Sequence, residues 1–297
     1  MLAFSSLLGN VEGQNIYRIW YDKPASYWEE ALPVGNGRIA AMVFGDPQLE
    51  QIQLNEETVS AGSPYQNYNE EAKTALPEMR RLIFEGKYEE AQNMAATKIL
   101  SQVGNEMPYQ TVGRLNIRYQ DHKKVNNYYR DLDISNAVAV TRYEVDGVEF
   151  TEETFASFTD QLVIRHIKAS KPGTINCELF FNTPMRDPKR SIYGKKGLRL
   201  EGITHGSRYF PGKVHYCADL DVKHKGGKVI TANDTLLSVQ GASELTLYIS
   251  MATNFVNYKD ISGDPYQRNK AYLKMQRKII VKRKPLILLL IRNNSIV

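Results

Sequence analysis

Histidines, cysteines and carboxylates are the residues of this 297-residue chain that could carry chemistry, and their spacing limits what that chemistry can be. His122, His166, His205, His215 and His224 include no pair four residues apart, the spacing that sets two imidazoles on one helix face for a metal. On a strand, however, His215, Cys217, Asp219 and Asp221 would share a face, because side chains alternate. A polar solvent face gives the same pattern, and structural zinc takes four convergent N or S ligands, so no metal site and no cofactor are expected. Carboxylates recur in pairs, at Glu29-Glu30, Glu56-Glu57, Glu70-Glu71, Glu89-Glu90 and Glu152-Glu153. Glycoside hydrolysis sets two carboxyls across one bond, whereas neighbours on a strand point to opposite faces. These pairs therefore read as solvated surface acids.

Neither a Gly-x-Ser-x-Gly elbow nor a Walker Gly-Lys-Ser/Thr loop is present, which removes the commonest signatures of serine hydrolases and nucleotide enzymes. The Gly35-Asn36-Gly37 turn is followed by no helix whose dipole could hold a phosphate. Trp20, Tyr21 and Trp28 could offer ring faces to a sugar. Large rings are mostly buried and dominate packing, so core or domain-interface positions are the preferred reading for them.

The elements that must position these residues are mostly strands. Ile16 to Tyr21 and Ile39 to Phe44 are apolar, β-prone runs bounded by Pro24, Pro33, Gly35, Gly37 and Gly45, and a short strand follows at Ile52 to Leu54. Between Asn69 and Leu100 the period changes to that of helices. Asn69 can cap one with Glu70 and Glu71 in its first turn, Pro77 can open a second that runs to Phe84 and stops at Gly86, and Tyr88, Ala91, Met94, Ala95 and Ile99 form one face of a third. Two-residue alternation then returns. Tyr143 and Val145 are joined to Val148 and Phe150 by Asp146-Gly147, which permits the positive φ angles of a type I′ hairpin. Further strands are predicted at Leu162 to Ile167, Ile175 to Phe181, Val214 to Val222, Lys228 to Thr231, Leu236 to Val239 and Leu245 to Met251. So many short strands predict a mainly β protein built as a sandwich, with a helical insertion at about 69–100.

Composition agrees. Eighteen Tyr against ten Phe and two Trp suit half-buried pleated surfaces. The net charge of +5 comes largely from Arg277, Lys278, Lys282, Arg283, Lys284 and Arg292, and no basic stripe with interleaved aromatics runs through the rest, so a nucleic-acid partner is not expected. Two cysteines, Cys177 and Cys217, are too few for a disulfide scaffold; free buried thiols are preferred over one bridge. Residues 1–14 resemble the back half of a signal peptide without its charged start, and a disordered terminus reads equally well. Leu286 to Ile291 is too short to span a bilayer, and residues 276–297 carry neither helical nor strand period.

Longer motifs carry a resemblance. Ile19-Trp20-Tyr21-Asp22-Lys23-Pro24-Ala25, and Trp28 through Gly45 with Leu32-Pro33-Val34-Gly35-Asn36-Gly37-Arg38 at its centre, resemble the opening of family 95 glycoside hydrolases. Ile52-Gln53-Leu54-Asn55-Glu56-Glu57-Thr58 looks like that family's second signature, and similarity continues through Leu76 to Tyr88, Tyr129 to Asp133 and Phe155-Ala156-Ser157 to about residue 275. Two loops depart: the family's Trp-Ser-Gly-Gly-Pro appears as Ser60-Ala61-Gly62-Ser63-Pro64, and its Tyr-Gln-Pro-Leu-Gly-Asp as Tyr109-Gln110-Thr111-Val112-Gly113-Arg114.

The resemblance implies an inverting α-L-fucosidase, with some relatives α-galactosidases, in which a large antiparallel N-terminal β super-sandwich is joined by a helical linker to an α/α barrel that holds the catalytic acid and base. It further implies a fucosylated glycan as substrate of the complete enzyme, the barrel as an intramolecular partner missing from this chain, a periplasmic or secreted location, and no catalytic residue or activity in residues 15–275 alone. A reading-frame shift or decayed gene would explain the patternless tail. Any substrate contact from the sandwich is expected at Asn36, Arg38, Asn55 and Glu56 of the signature loops, although polar residues in buried turns commonly satisfy backbone groups instead. Rival readings are a free-standing carbohydrate-binding module, which needs an exposed aromatic platform, and an enzyme built wholly from the sandwich, which needs two carboxylates converging on a pocket.

Overall fold

The computed structural model of the chain describes residues 17–101, 107–207 and 210–275. The signal-like stretch at 1–14 and the basic tail at 276–297 lie outside them. The strands are β1 (Arg18–Tyr21), β2 (Leu32–Gly35), β3 (Ile39–Val43), β4 (Leu49–Glu56), β5 (Gly113–Tyr119), β6 (Val125–Asp133), β7 (Val138–Val145), β8 (Val148–Ser157), β9 (Leu162–Ala169), β10 (Ile175–Asn182), β11 (Arg186–Tyr193), β12 (Gly197–Ile203), β13 (His215–Lys225), β14 (Lys228–Asn233), β15 (Leu236–Ala242) and β16 (Glu244–Thr253). They form two antiparallel sheets. One has the order β1-β6-β7-β8-β9-β16-β13-β12-β11 and the other β14-β15-β10-β5-β4-β3-β2.

Alternation builds the core between them. Ile52 and Leu54 on β4, Leu115 and Ile117 on β5, and Leu179 and Phe181 on β10 face Val163 and Ile167 on β9, Ala218 and Leu220 on β13, and Leu247 and Ile249 on β16, all buried. Burial of apolar surface on this scale is the main stabilising term. The β7–β8 hairpin forms as the sequence predicts: Val145 pairs with Val148, and Asp146 and Gly147 take φ of 49° and 75°.

Inside this core lies an ion cluster that spans both sheets. Arg165 on β9 donates through Nη2 to Glu50 of β4 (3.0 Å) and to Glu152 of β8, and through Nη1 to Thr154 (2.8 Å). Glu152 also accepts from the hydroxyls of Tyr119 (2.5 Å) and Tyr143 (2.8 Å), and Glu50 from the backbone N–H groups of Phe44 and Gly45. The surface reading of Glu152 is therefore corrected: it sits on the buried side of β8 because Arg165 and two phenols meet its carboxylate there. Glu56 is likewise buried, whereas Glu29, Glu57, Glu70, Glu71, Glu89 and Glu90 are exposed as expected.

The helical insertion is a hairpin of α1 (Ala72–Phe84) and α2 (Tyr88–Met94), the latter continuing as a wider turn through Ala95–Ile99. Asn69 caps the entry by accepting the Glu71 N–H. Pro77 lies inside α1 instead of opening a second helix, and the only backbone bond it forfeits is one turn deep in the helix. Gly86, at φ 75°, ends α1. A helix the sequence pattern does not mark, α3 (Pro265–Met275), packs on the outer face of the nine-stranded sheet, where Leu273 joins Leu162, Ile164 and Tyr248 in a second small core.

That helix corrects the reading of the His215, Cys217, Asp219 and Asp221 face. The four do share a face, but Cys217 and Asp219 are buried beneath α3 and not open to solvent. Asn269 of α3 donates to the Cys217 carbonyl (2.9 Å) and accepts from Ser250 (2.6 Å), while Arg199 holds Asp219 through two bonds of 2.6 and 2.7 Å. No metal-binding group of His, Cys, Asp or Glu occurs among the described residues. Cys177 points into the core and Cys217 away from it, and both thiols are free and buried.

Candidate functional site

Three of the four signature-loop residues converge where the two sheets meet α3. Asn36 closes the turn after β2: its Oδ1 accepts from the N–H groups of Arg38 (3.1 Å) and Ile39 (2.9 Å), and its Nδ2 donates to the Ser157 carbonyl (2.9 Å) across the sandwich. Arg38 donates through Nη1 to the Met251 carbonyl (2.9 Å) and to Glu56 (3.2 Å), and through Nε to Gln161 (2.6 Å). Its guanidinium lies 4.8 Å from the ring centre of Tyr272 on α3. Glu56 accepts twice from Thr58 through Oε2, from N–H (2.8 Å) and hydroxyl (2.6 Å). Burial raises the Glu56 carboxyl above the ordinary range, and the Thr58 and Arg38 contacts oppose that rise without cancelling it. Tyr109, whose hydroxyl donates to the Glu56 carbonyl, is pushed up to about 12 by burial and by the nearby carboxylate.

Chemically this cluster is a tie. The oxygens of Glu56 and the N–H groups of Arg38 are engaged with protein partners from both sheets, the 158–161 turn and α3, as buried polar groups are expected to be. Asn55 stands apart, because alternation along β4 turns it to the opposite face from Glu56.

That outer face of the seven-stranded sheet carries residues which spacing alone does not single out. A cleft of about 580 Å³ is bordered by Tyr27, Trp28, Phe44, Asp46, Gln51 and Arg114, and one of about 330 Å³ by Gln53, Thr111, Gly113, Arg114, Asn182 and Thr183. Arg114 belongs to both. Trp28 is 48% exposed and Trp20, on β1 of the other sheet, 61% exposed, so neither indole is a core ring and of the two expected positions the domain interface is the one left for them; Tyr21 does pack against the core. The signal for the clefts is distributed over three strands and a loop, and only the register Gln53 to Arg114 to Asn182 brings it together. The two departing loops are ordered as well: Ser60 bridges to Tyr109, and the Gln110 amide oxygen accepts from the His205 N–H.

Comparison with known proteins places this geometry in a family. Residues 19–258 match the family model described as the N-terminal domain of glycosyl hydrolase family 65. The chain belongs to that family. Its members' domain is what the two sheets represent here, the N-terminal domain of a glycoside hydrolase-like enzyme. The chain is 31% identical over 271 residues to alpha-L-fucosidase 2 of Arabidopsis thaliana, covering 82% of this chain and 31% of that protein. It is 26% identical over 253 residues to the alpha-fucosidase A assigned in Aspergillus niger, covering 80% and 30%. The activity named for these relatives is the one the motif resemblance implies. A solved structure from the human microbiome, assigned as a kojibiose phosphorylase, shares the fold with a TM-score of 0.50 at 9% identity, over 93% of this chain and 37% of that one. The chain spans about a third of the length of the curated relatives it matches.

Proposed function

We propose that this chain is the non-catalytic N-terminal sandwich of an exported α-L-fucosidase-like hydrolase, periplasmic or secreted, and that it supports a helical catalytic domain without hydrolysing fucosides itself. The observation that carries the reading is the state of the carboxylates. Hydrolysis at a glycosidic bond uses an acid and a base roughly 5–10 Å apart across an open site. Asp46 is the one carboxylate bordering either outer-face cleft, and its Oδ1 is occupied by the N–H groups of Gln48 and Leu49. Glu56 is saturated by Thr58 and Arg38, and the pair Glu50 and Glu152 is sealed around Arg165. The α-fucosidase names of the relatives support a fucosylated glycan as substrate of the complete enzyme, and the helical domain as its intramolecular partner.

The test is turnover. The purified chain should release no p-nitrophenol from p-nitrophenyl α-L-fucoside above buffer, with the α-galactoside as a second substrate. Release that Glu56→Gln or Asp46→Asn abolishes would refute the reading.

A further inference from the structure

The two outer-face clefts adjoin at Arg114, which borders both, and together they make a shallow groove across the seven-stranded sheet. Their volumes lie in or near the span of about 300–1,000 Å³ typical of small-ligand sites. At one end the loop after β1 is held rigidly. Arg130, fully buried, donates to the carbonyls of Lys23 and Glu30 (2.7 Å each), Ala25 N–H bonds to the Phe44 carbonyl, and Ser26 N–H bonds to Glu30. This loop presents Tyr27 and Trp28, about half exposed, as an aromatic wall.

The floor is a cross-strand row. Gln53 of β4 pairs with Arg114 of β5, which pairs with Asn182 of β10, so three planar polar side chains stand side by side at the strand spacing of about 5 Å. Arg114 is fixed by its bond to the Gln51 Oε1 (2.6 Å) and by lying over the Phe44 ring. Donors and an acceptor are left over for a ligand. Among the described residues, the Trp28 indole N–H, the Gln51 Nε2, both ends of the Gln53 amide and the Asn182 Nδ2 have no protein partner.

We propose that this groove binds a neutral oligosaccharide. A pyranose has one face of C–H groups and an equatorial belt of hydroxyls that both donate and accept. The first fits the exposed ring of Trp28, and the second fits planar amides and a guanidinium that offer pairs of N–H donors. With Asp46 as its one bordering carboxylate, the groove is proposed as a binding site and not as a catalytic one. The inference does not require the fucosidase reading, since any neutral glycan carries these groups.

The chain contains two tryptophans, which makes the test direct. The two indole N–H resonances are followed by NMR while 2′-fucosyllactose, lactose, cellotriose and a trigalacturonate are titrated in separately. The Trp28 resonance, assigned with Trp20→Phe, should move saturably with a neutral sugar, with dissociation constants between ~10 µM and ~1 mM, while that of Trp20 stays still. Arg114→Ala and Trp28→Ala should each weaken binding about tenfold or more with an unchanged thermal midpoint. Gln51→Ala, a milder surface change, serves if either variant fails to fold. No movement of Trp28 by about 10 mM of any neutral sugar, equal movement of both indoles, or a response to the trigalacturonate alone would overturn the proposal. The last outcome would instead assign an anion site to Arg114 and to Lys23, which also borders the larger cleft. Whether or not the chain turns over a fucoside bears only on the preceding reading.

Discussion

Replacing Arg165 by methionine asks whether the ion cluster in the core holds the two sheets together. Arg165 is completely buried, and its side chain is met by Glu50 at 3.0 Å, by Glu152 and by Thr154 at 2.8 Å. Methionine is unbranched and of comparable length, so little cavity is opened, and the change isolates the charge. What remains is two buried carboxylates with no cation between them. Breaking a buried pair by removing one partner costs about 3–5 kcal/mol, against a total stability of about 5–15 kcal/mol for a domain. For a chain of this size each kcal/mol moves the midpoint by about 2–4 °C, so the expected drop is roughly 10 °C. Urea unfolding followed by tyrosine and tryptophan fluorescence gives the free energy directly. Adding Glu152→Gln to Arg165→Met should recover part of the loss, because Glu50 then keeps its two backbone donors without a like charge beside it. Lys223→Met, which removes a surface pair between an exposed lysine and the partly buried Asp221, is the control and should change stability by no more than about 1 kcal/mol. A loss below about 1 kcal/mol for Arg165→Met would refute the reasoning, since it would mean the carboxylates find water or relax apart.

Other tests are smaller. Burial pushes the Cys177 and Cys217 thiols up, with Asp219 adding to the rise at Cys217, so neither should react with a disulfide reagent at pH 8 until the chain is unfolded, and one fast equivalent in the native state would contradict the structure. Gly113→Ala should cost roughly 1–3 kcal/mol in urea unfolding, because φ is 140° and a Cβ would sit 2.5 Å from the Asn182 carbonyl oxygen; Gly147→Ala, with nothing near its Cβ, should cost less, about 1 kcal/mol. Glu56 has its folded pKa raised, so its contribution is fully present below the unfolded carboxylate value and is lost as pH rises through the folded value. Urea midpoints of the native chain should therefore fall relative to Glu56→Gln as pH rises from about 4 to 7, and parallel curves would show that Glu56 keeps its ordinary value.

How much was legible depends on whether a signal was local. The Asp146-Gly147 hairpin could be read because two residues determine it. The sequence pattern does not mark β2, β5, β6, β11 or β12; β2 and β11 each carry a proline, Pro33 and Pro188, and are edge strands, where a missing N–H does no harm, whereas β5, β6 and β12 lie inside the sheets and interleave charged or amide side chains with their apolar ones. Glu152 looked like surface because the residues that need it, Tyr119 and Arg165, are separated from it by a turn or by whole strands. The same distance hid the site. Asn36, Arg38 and Glu56 are recognisable as signature residues, but that Arg38 reaches Gln161 and Met251, more than a hundred residues away, is a property of the closed sandwich. Size places Trp28 in a core or at an interface, and the loop that leaves it outside the core is held by Arg130, about a hundred residues away in sequence.

The strand order has a consequence in time. In the nine-stranded sheet β9 has β8 on one side and β16 on the other, yet residues 170–243 intervene before β16 begins. At a synthesis rate of about 5–20 residues per second, a nascent chain would hold the far edge of β9 open for roughly 4–15 s. During that interval the edge offers free N–H and C=O groups flanked by Leu162 and Ile164, a template for any passing strand. The sandwich therefore closes last along β9, β16 and β13, and α3 then covers the seam. Proteolysis of ribosome-stalled chains ending before and after residue 253 would locate that moment. A substitution in β16 would act first on the yield of folded protein and only afterwards on its stability.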